Sequence, residues 1–377
     1  MTTKIYLDNN ATTALDPQVA ACIMEDLNSP PSNPSSMHFF GRDAKLKLLK
    51  ARESIARFFS VKPQEVIFTS SGTESMNLLL RGLIDPTLSP HVITSNIEHS
   101  CVQKTLLDLS EKGCKVSFLP AGLKGAVSLE ELRQAITPET KFLVFSAASS
   151  ETGVKIDLKG FADLALECNI PLLIDGVAQL GKEPFTFHPG IVGAGFSAHK
   201  FHGPKGVGFI VMKAKAISRL KPILTGGGQE AGLRSGTENL TGILALAEAI
   251  NQIQNKMPIA MDQMRSLRDR FEKEIIANLP FVQVNGQNER LCNVSNLCFQ
   301  GVDAETLLIQ LDINGVAASQ GSACSSGALE PSRVLMAMGL SKSLAGSSLR
   351  FSLSRFTTEE EIDTTVEIIS TLVPKLR

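Results

Sequence analysis

Between about residues 60 and 215 short β-rich apolar runs alternate with helical stretches, and this alternation limits the fold more than any other feature of the chain. Val66-Ile67-Phe68-Thr69 reads as a strand, followed by Ser70-Ser71-Gly72 and a helix over Thr73 to Gly82. Val92-Ile93-Thr94, Val116 to Leu119, Phe142 to Phe145, Pro171 to Asp175 and Gly206 to Met212 read as further strands. Helical stretches at Leu129 to Ile136 and Phe161 to Glu167 lie between them. Apolar strands spaced by helices predict an α/β fold with a mostly parallel central sheet covered on both faces. Working residues in such a sheet are expected at the carboxyl ends of strands.

Helices are expected at Ile243 to Ile253 and at Met264 to Ile276, bridging to a second region after about residue 255. Strands at Asn293 to Phe299 and Leu349 to Leu353 mix there with helices at Ala304 to Leu311, Arg333 to Met338 and Glu359 to Leu372. That mixture predicts a smaller α+β domain. The 377 residues carry a net charge of −1, which gives no broad electrostatic reason to bind nucleic acid or an anionic membrane. No apolar run approaches membrane-spanning length, and no signal peptide is visible at Met1-Thr2-Thr3-Lys4-Ile5. The seven cysteines, at 22, 101, 114, 168, 292, 298 and 324, contain no Cys-x-x-Cys pair. They predict no disulfide framework and no metal site, and place the chain in a reducing cytoplasm.

Several polar residues sit where structure alone gives little reason for them. Lys200 lies among His199, His202 and a glycine-containing turn, just before an apolar strand. A partly desolvated lysine has a depressed pKa and can form a Schiff base, with Lys205 as the rival. Asp175 ends a strand, and a lysine paired with such an aspartate is what pyridoxal phosphate needs, the acid facing the pyridinium nitrogen. Ser70-Ser71-Gly72-Thr73-Glu74 opens a helix whose unpaired N–H groups suit a phosphate. His99, after a strand, suits ring stacking and proton exchange. Cys324 lies in Gly321-Ser322-Ala323-Cys324-Ser325-Ser326, a small polar stretch where a thiol can ionise. Arg350, in the strand-like Leu349-Arg350-Phe351-Ser352, wants an anionic partner.

Taken in this order the set resembles cysteine desulfurases of the NifS/IscS type, within the class-V aminotransferase group of pyridoxal-phosphate enzymes. Further matching stretches are Ile5 to Thr13, Ser32 to Ser36, Gly226 to Glu230, Arg234 to Asn239 and Arg350 to Glu360. The resemblance implies a fold type I transferase, with a large cofactor-binding domain over 16–254 and a small domain of 1–15 and 255–377 that carries the catalytic cysteine loop. It implies that Lys200 holds the cofactor, Asp175 pairs with its ring nitrogen and His99 stacks on the ring and moves protons. Gly72, Thr73, Ser197 and His199 would hold the phosphate, and Thr237 would reach it from the other subunit of a homodimer. Arg350 would bind the carboxylate of L-cysteine, with Ala11, Thr12, Asn33 and Ser150 beside it. Cys324 would take the substrate sulfur as a persulfide, release alanine and pass sulfur to an acceptor protein such as an iron–sulfur scaffold.

Two positions depart from the pattern. Ser150 stands where the group has an asparagine near the cofactor and substrate. Ala178 stands where a glutamine contacts the ring oxygen, and Gln179, one place later, is expected to point elsewhere. The chain ends at Arg377, short of the tail some relatives use for scaffold docking, which leaves that partner open. A selenocysteine lyase and a weakened, cofactor-binding sulfur-relay partner remain as alternatives.

Overall fold

Seven strands form the main sheet of the computed structural model, which describes residues 4–321 and 331–377. Their spatial order is Val66–Thr69, Gly208–Met212, Ile191–Ser197, Leu172–Asp175, Thr140–Ser146, His91–Ser95 and Lys115–Leu119. Pairings are parallel from Ile191–Ser197 outward to Lys115–Leu119, and Gly208–Met212 pairs antiparallel with both its neighbours. Six strands therefore share one direction, as the alternating pattern predicts.

The sheet is apolar on both faces because its strands carry no polar alternation. Leu172 and Ile174 enter one apolar cluster while Leu173 enters the other, and Leu143 and Phe145 divide from Phe142 and Val144 in the same way. Side chains alternate across a pleated strand, so a strand covered on both sides must be apolar throughout. The strand Ile191–Ser197 was not expected from the sequence, since two glycines dilute its apolar run. Those glycines admit the helix Gly72–Leu83 at close range. A Cβ at Gly193 would meet Leu79 at 2.7 Å, and one at Gly195 would meet Met76 at 2.9 Å.

The two helices expected near 243–253 and 264–276 are one, Leu240–Asn278, with Pro258 inside it. Its first part places Ile243, Leu246 and Ile250 in the apolar cluster on one side of the main sheet, and its last part places Leu267, Phe271 and Ile275 in a second core. No residue from Gln254 to Gln263 is buried, so the apolar periodicity lapses there although the helix does not. Helices Pro17–Leu27 and Phe39–Phe58 also went unanticipated. The second core surrounds an antiparallel sheet in the order Ser348–Ser352, Val294–Phe299, Val282–Val284. The N-terminal strand Ile5–Tyr6 pairs in parallel with Val316–Ala317. Among the described residues no helix is long and apolar enough to cross a membrane.

Candidate active site

Five strands that run the same way end at one edge of the main sheet, and that edge gathers the polar residues. Thr69 leads into Ser70 to Gly72, Ser95 into Glu98 and His99, and Ser146 into Ser150 and Glu151. Asp175 ends its own strand, and Ser197 leads into the short turn Ala198–Lys200. This is the carboxyl edge, where a parallel sheet offers helix starts and loop backbone to a ligand.

The Lys200 ammonium donates to the carbonyls of Asn10 at 2.5 Å and Ala11 at 2.9 Å. Both acceptors belong to the N-terminal segment, which is fastened to the turn by Thr13, whose N–H and hydroxyl each reach the His199 carbonyl at 2.9 Å. Lys205, the rival lysine, is exposed. Lys182 is buried, and its ammonium donates to the Lys200 carbonyl. Burial, with the Lys200 charge beside it, lowers the Lys182 pKa to about 7.

Asp175 is buried and accepts the Val177 N–H at 3.0 Å. Burial raises its pKa, against the pull of His99 and Lys200. His99 caps the helix Ser100–Glu111 by accepting the Cys101 N–H on Nδ1 at 3.2 Å, so the neutral ring carries its proton on Nε2. Ligand-type atoms of His99, Cys101 and Asp175 all lie within 4.8 Å of one another. Imidazole and carboxylate thus face the same small volume.

Ser71 caps the helix Gly72–Leu83, its hydroxyl accepting the Glu74 N–H at 3.1 Å. Gly72 is buried, and a Cβ there would meet Val177 at 2.7 Å and Ser197 at 3.4 Å. The first turn of this helix therefore packs directly on Val177 and Ser197, and only a glycine fits at position 72. Thr73 is exposed. His199 shares a hydrogen bond with the Thr12 hydroxyl at 3.2 Å, and burial, then Lys200 and Lys182, lower its pKa to about 4, so it is neutral. Thr237 is exposed, in a segment that Arg234 ties to Glu74 at 2.9 Å.

Arg350 is 2% exposed. It donates to Asp8 at 2.6 Å and to the Ser150 carbonyl at 3.1 Å, which also accepts the Asn10 amide at 2.9 Å. Its Nε is buried and has no partner among the described residues. Asn33 sits in an exposed turn, its side-chain oxygen accepting the Ser35 N–H at 2.9 Å. Ala178 packs against Ala148, Leu291 and Val294, while the Gln179 amide donates to the Pro184 carbonyl at 2.7 Å. Gln179 is thus spent within its own turn. Cys324 lies outside the described residues. After it, Ser332 donates to buried Glu151, and Arg333 donates to the carbonyls of Asn96 at 2.8 Å and of Glu98.

Sequence reasoning missed Lys182, Glu98 and Glu151, all buried. Each stands beside a quoted motif, but charge in a sequence reads as surface, and only the fold shows these three inside. A cavity of about 1460 Å³ opens at the opposite edge of the sheet, along Pro90, Lys115, Thr140 and Pro171, and holds none of the residues above.

A fold of this kind with a lysine, a buried aspartate and a helix start at one sheet edge defines a class, and comparison with known proteins agrees. Residues 5–365 match the family model described as aminotransferase class-V. A protein named cysteine desulfurase from Nostoc sp. is 38% identical over 376 residues, covering 99% of this chain and 94% of that one. A solved NifS-like protein superposes with a TM-score of 0.92 at 32% identity, covering 99% of this chain and all of that one. A structure titled SspA in complex with cysteine gives a TM-score of 0.82 at 29% identity over 94% of this chain and 100% of that one. The chain belongs to the class-V aminotransferase family, in its cysteine desulfurase branch.

Proposed function

We propose that this chain is a pyridoxal-phosphate-dependent cysteine desulfurase, which takes sulfur from L-cysteine, releases L-alanine and passes the sulfur on through Cys324. The observation that carries the reading is the gathering of Lys200, Asp175 and His99 at one sheet edge beside the start of the helix Gly72–Leu83. These residues fit the cofactor. Gly72 opens the helix Gly72–Leu83 at that edge, and a helix N-terminus suits a phosphate. Gly72, Thr73, Ser197 and His199 would hold it there, with Thr237 contributed across a homodimer. Asp175 would hold a proton on the ring nitrogen, and Lys200 would hold the aldehyde covalently. When bound, pyridoxal phosphate supplies an electron-accepting ring for the pair left on the substrate's α-carbon.

The remaining work falls to the chain. Arg350, held in plane by Asp8 and the Ser150 carbonyl, receives the substrate carboxylate, with Ala11, Thr12, Asn33 and Ser150 beside it. The Lys200 amine takes the α-proton, and the Asn10 and Ala11 carbonyls stabilise the ammonium so formed. His99 would lie against the ring and exchange protons there. The Cys324 thiolate attacks the substrate sulfur, and the carbon–sulfur bond breaks with its electron pair going to the β-carbon. That carbon takes up a proton, the Lys200 ammonium returns a proton to the α-carbon, alanine leaves, and the enzyme keeps the persulfide. A protein thiol or an iron–sulfur scaffold is the acceptor we infer, in a reducing cytoplasm that suits the six free cysteines of the described residues.

Holoprotein given cysteine and a small thiol is expected to form alanine and sulfide in equal amounts. Cys324→Ser is expected to keep the cofactor's visible band and to lose alanine formation. Full turnover by that variant would overturn the assignment.

A further inference from the structure

Glu98 is 2% exposed and has no part in the chemistry above. One carboxyl oxygen accepts the Ser95 hydroxyl at 2.5 Å; the other accepts the Ser146 N–H at 2.8 Å and its hydroxyl at 2.6 Å. Ser95 ends the strand His91–Ser95, and Ser146 ends the strand Thr140–Ser146. Ser146 is also the register partner of Asp175, and the next N–H, of Ala147, donates to the Asp175 carbonyl at 2.9 Å. On the other side, His99 is the residue that follows Glu98. We propose that Glu98 is a positioning residue, whose carboxyl group ties two strand ends together and thereby sets His99 and Asp175 against the cofactor.

A buried carboxyl group is worth this role only if all its partners are satisfied, and here they are. The charged and ionisable groups that face it are Asp175, Cys101 and Arg333. Burial, with Asp175 beside it, raises the Glu98 pKa to about 7, so the neutral acid is available near neutral pH. That form presents one acceptor, which the Ser146 N–H requires, and one donor, which the Ser95 hydroxyl can accept. A glutamine amide presents the same pair. The cross-link therefore survives Glu98→Gln and fails in Glu98→Ala.

The inference rests on the pyridoxal-phosphate reading, and the test separates the two. Cofactor dissociation constants and the visible band are measured on wild type, Glu98→Gln and Glu98→Ala holoenzyme, together with KM and kcat. Glu98→Gln is expected to retain the cofactor within about twofold, and Glu98→Ala to bind it about tenfold or more weakly, with a shifted band. If Glu98→Ala does not fold, the double variant Ser95→Ala, Ser146→Ala removes both hydroxyl partners and is expected to show the same weakening. Wild-type affinity and spectrum in Glu98→Ala or in the double variant overturn the proposal, as does a Glu98→Gln as weak as Glu98→Ala. A wild type that takes up no pyridoxal phosphate contradicts the functional reading itself.

Discussion

Lys182 and Lys200 lie a hydrogen bond apart through the Lys200 backbone, and the chain tolerates them together by keeping Lys182 uncharged at moderately alkaline pH. A lysine lowered from 10.5 to about 7 binds its proton more weakly in the folded state than in the unfolded one. Its stabilising contribution is present above the unfolded value and is lost as pH falls toward 7. Wild type should therefore gain stability relative to Lys182→Met between pH 7 and 10.5, on the order of 4 kcal/mol across the window. Urea denaturation of both proteins along that range measures it, and a difference that does not change with pH would contradict the assignment. Of the candidate site residues, Lys200, Asp175, His99 and Gly72 stand in motifs that the sequence displays, and the fold brings them to one edge. The partners that stabilise them were not, because Asn10, Glu98 and Lys182 act through long-range contacts that no local pattern records.

Strands and helices were legible wherever apolar residues run without interruption, as at Leu172–Asp175 and Thr140–Ser146. They were obscured where packing asks for something else, as in the glycines of Ile191–Ser197 or the exposed middle of Leu240–Asn278. Some elements are joined by charge rather than by apolar contact. Arg52, on the helix Phe39–Phe58, pairs with Glu230 at 2.5 Å, whose other oxygen accepts the Phe68 N–H at 2.9 Å. Glu230 is 3% exposed at its side chain, so its charge has little access to water. Arg52→Met is expected to strand that charge and cost about 3–5 kcal/mol, read as a lower urea midpoint. An unchanged midpoint would show that the pair does not fasten the 226–238 segment to the strand Val66–Thr69.

For the whole molecule, the exposed apolar surface argues for a second copy. Met37 is 91% exposed, Phe39 63% and Leu46 50%, around the start and one face of the helix Phe39–Phe58. Exposed patches of this sort mark association surfaces, and the proposed role of Thr237 needs one. Light scattering after size exclusion should give twice the 40.5 kDa chain mass. Phe39→Asp should move the mass toward one chain and lower cofactor retention with it. A monomeric wild type that binds the cofactor fully would remove Thr237 from the site. The division into 16–254 and the remainder is a proposal of the same scale, and the unbroken helix Leu240–Asn278 joins its two parts.

The covalent attachment of pyridoxal phosphate to one amine at the carboxyl edge of the sheet is what the rest of the account depends on. Borohydride reduction of the yellow holoprotein, followed by proteolysis and mass spectrometry, reads that attachment directly. The expected result is a single reduced adduct on Lys200. An adduct on Lys182 or Lys205, or no adduct at all, would contradict it.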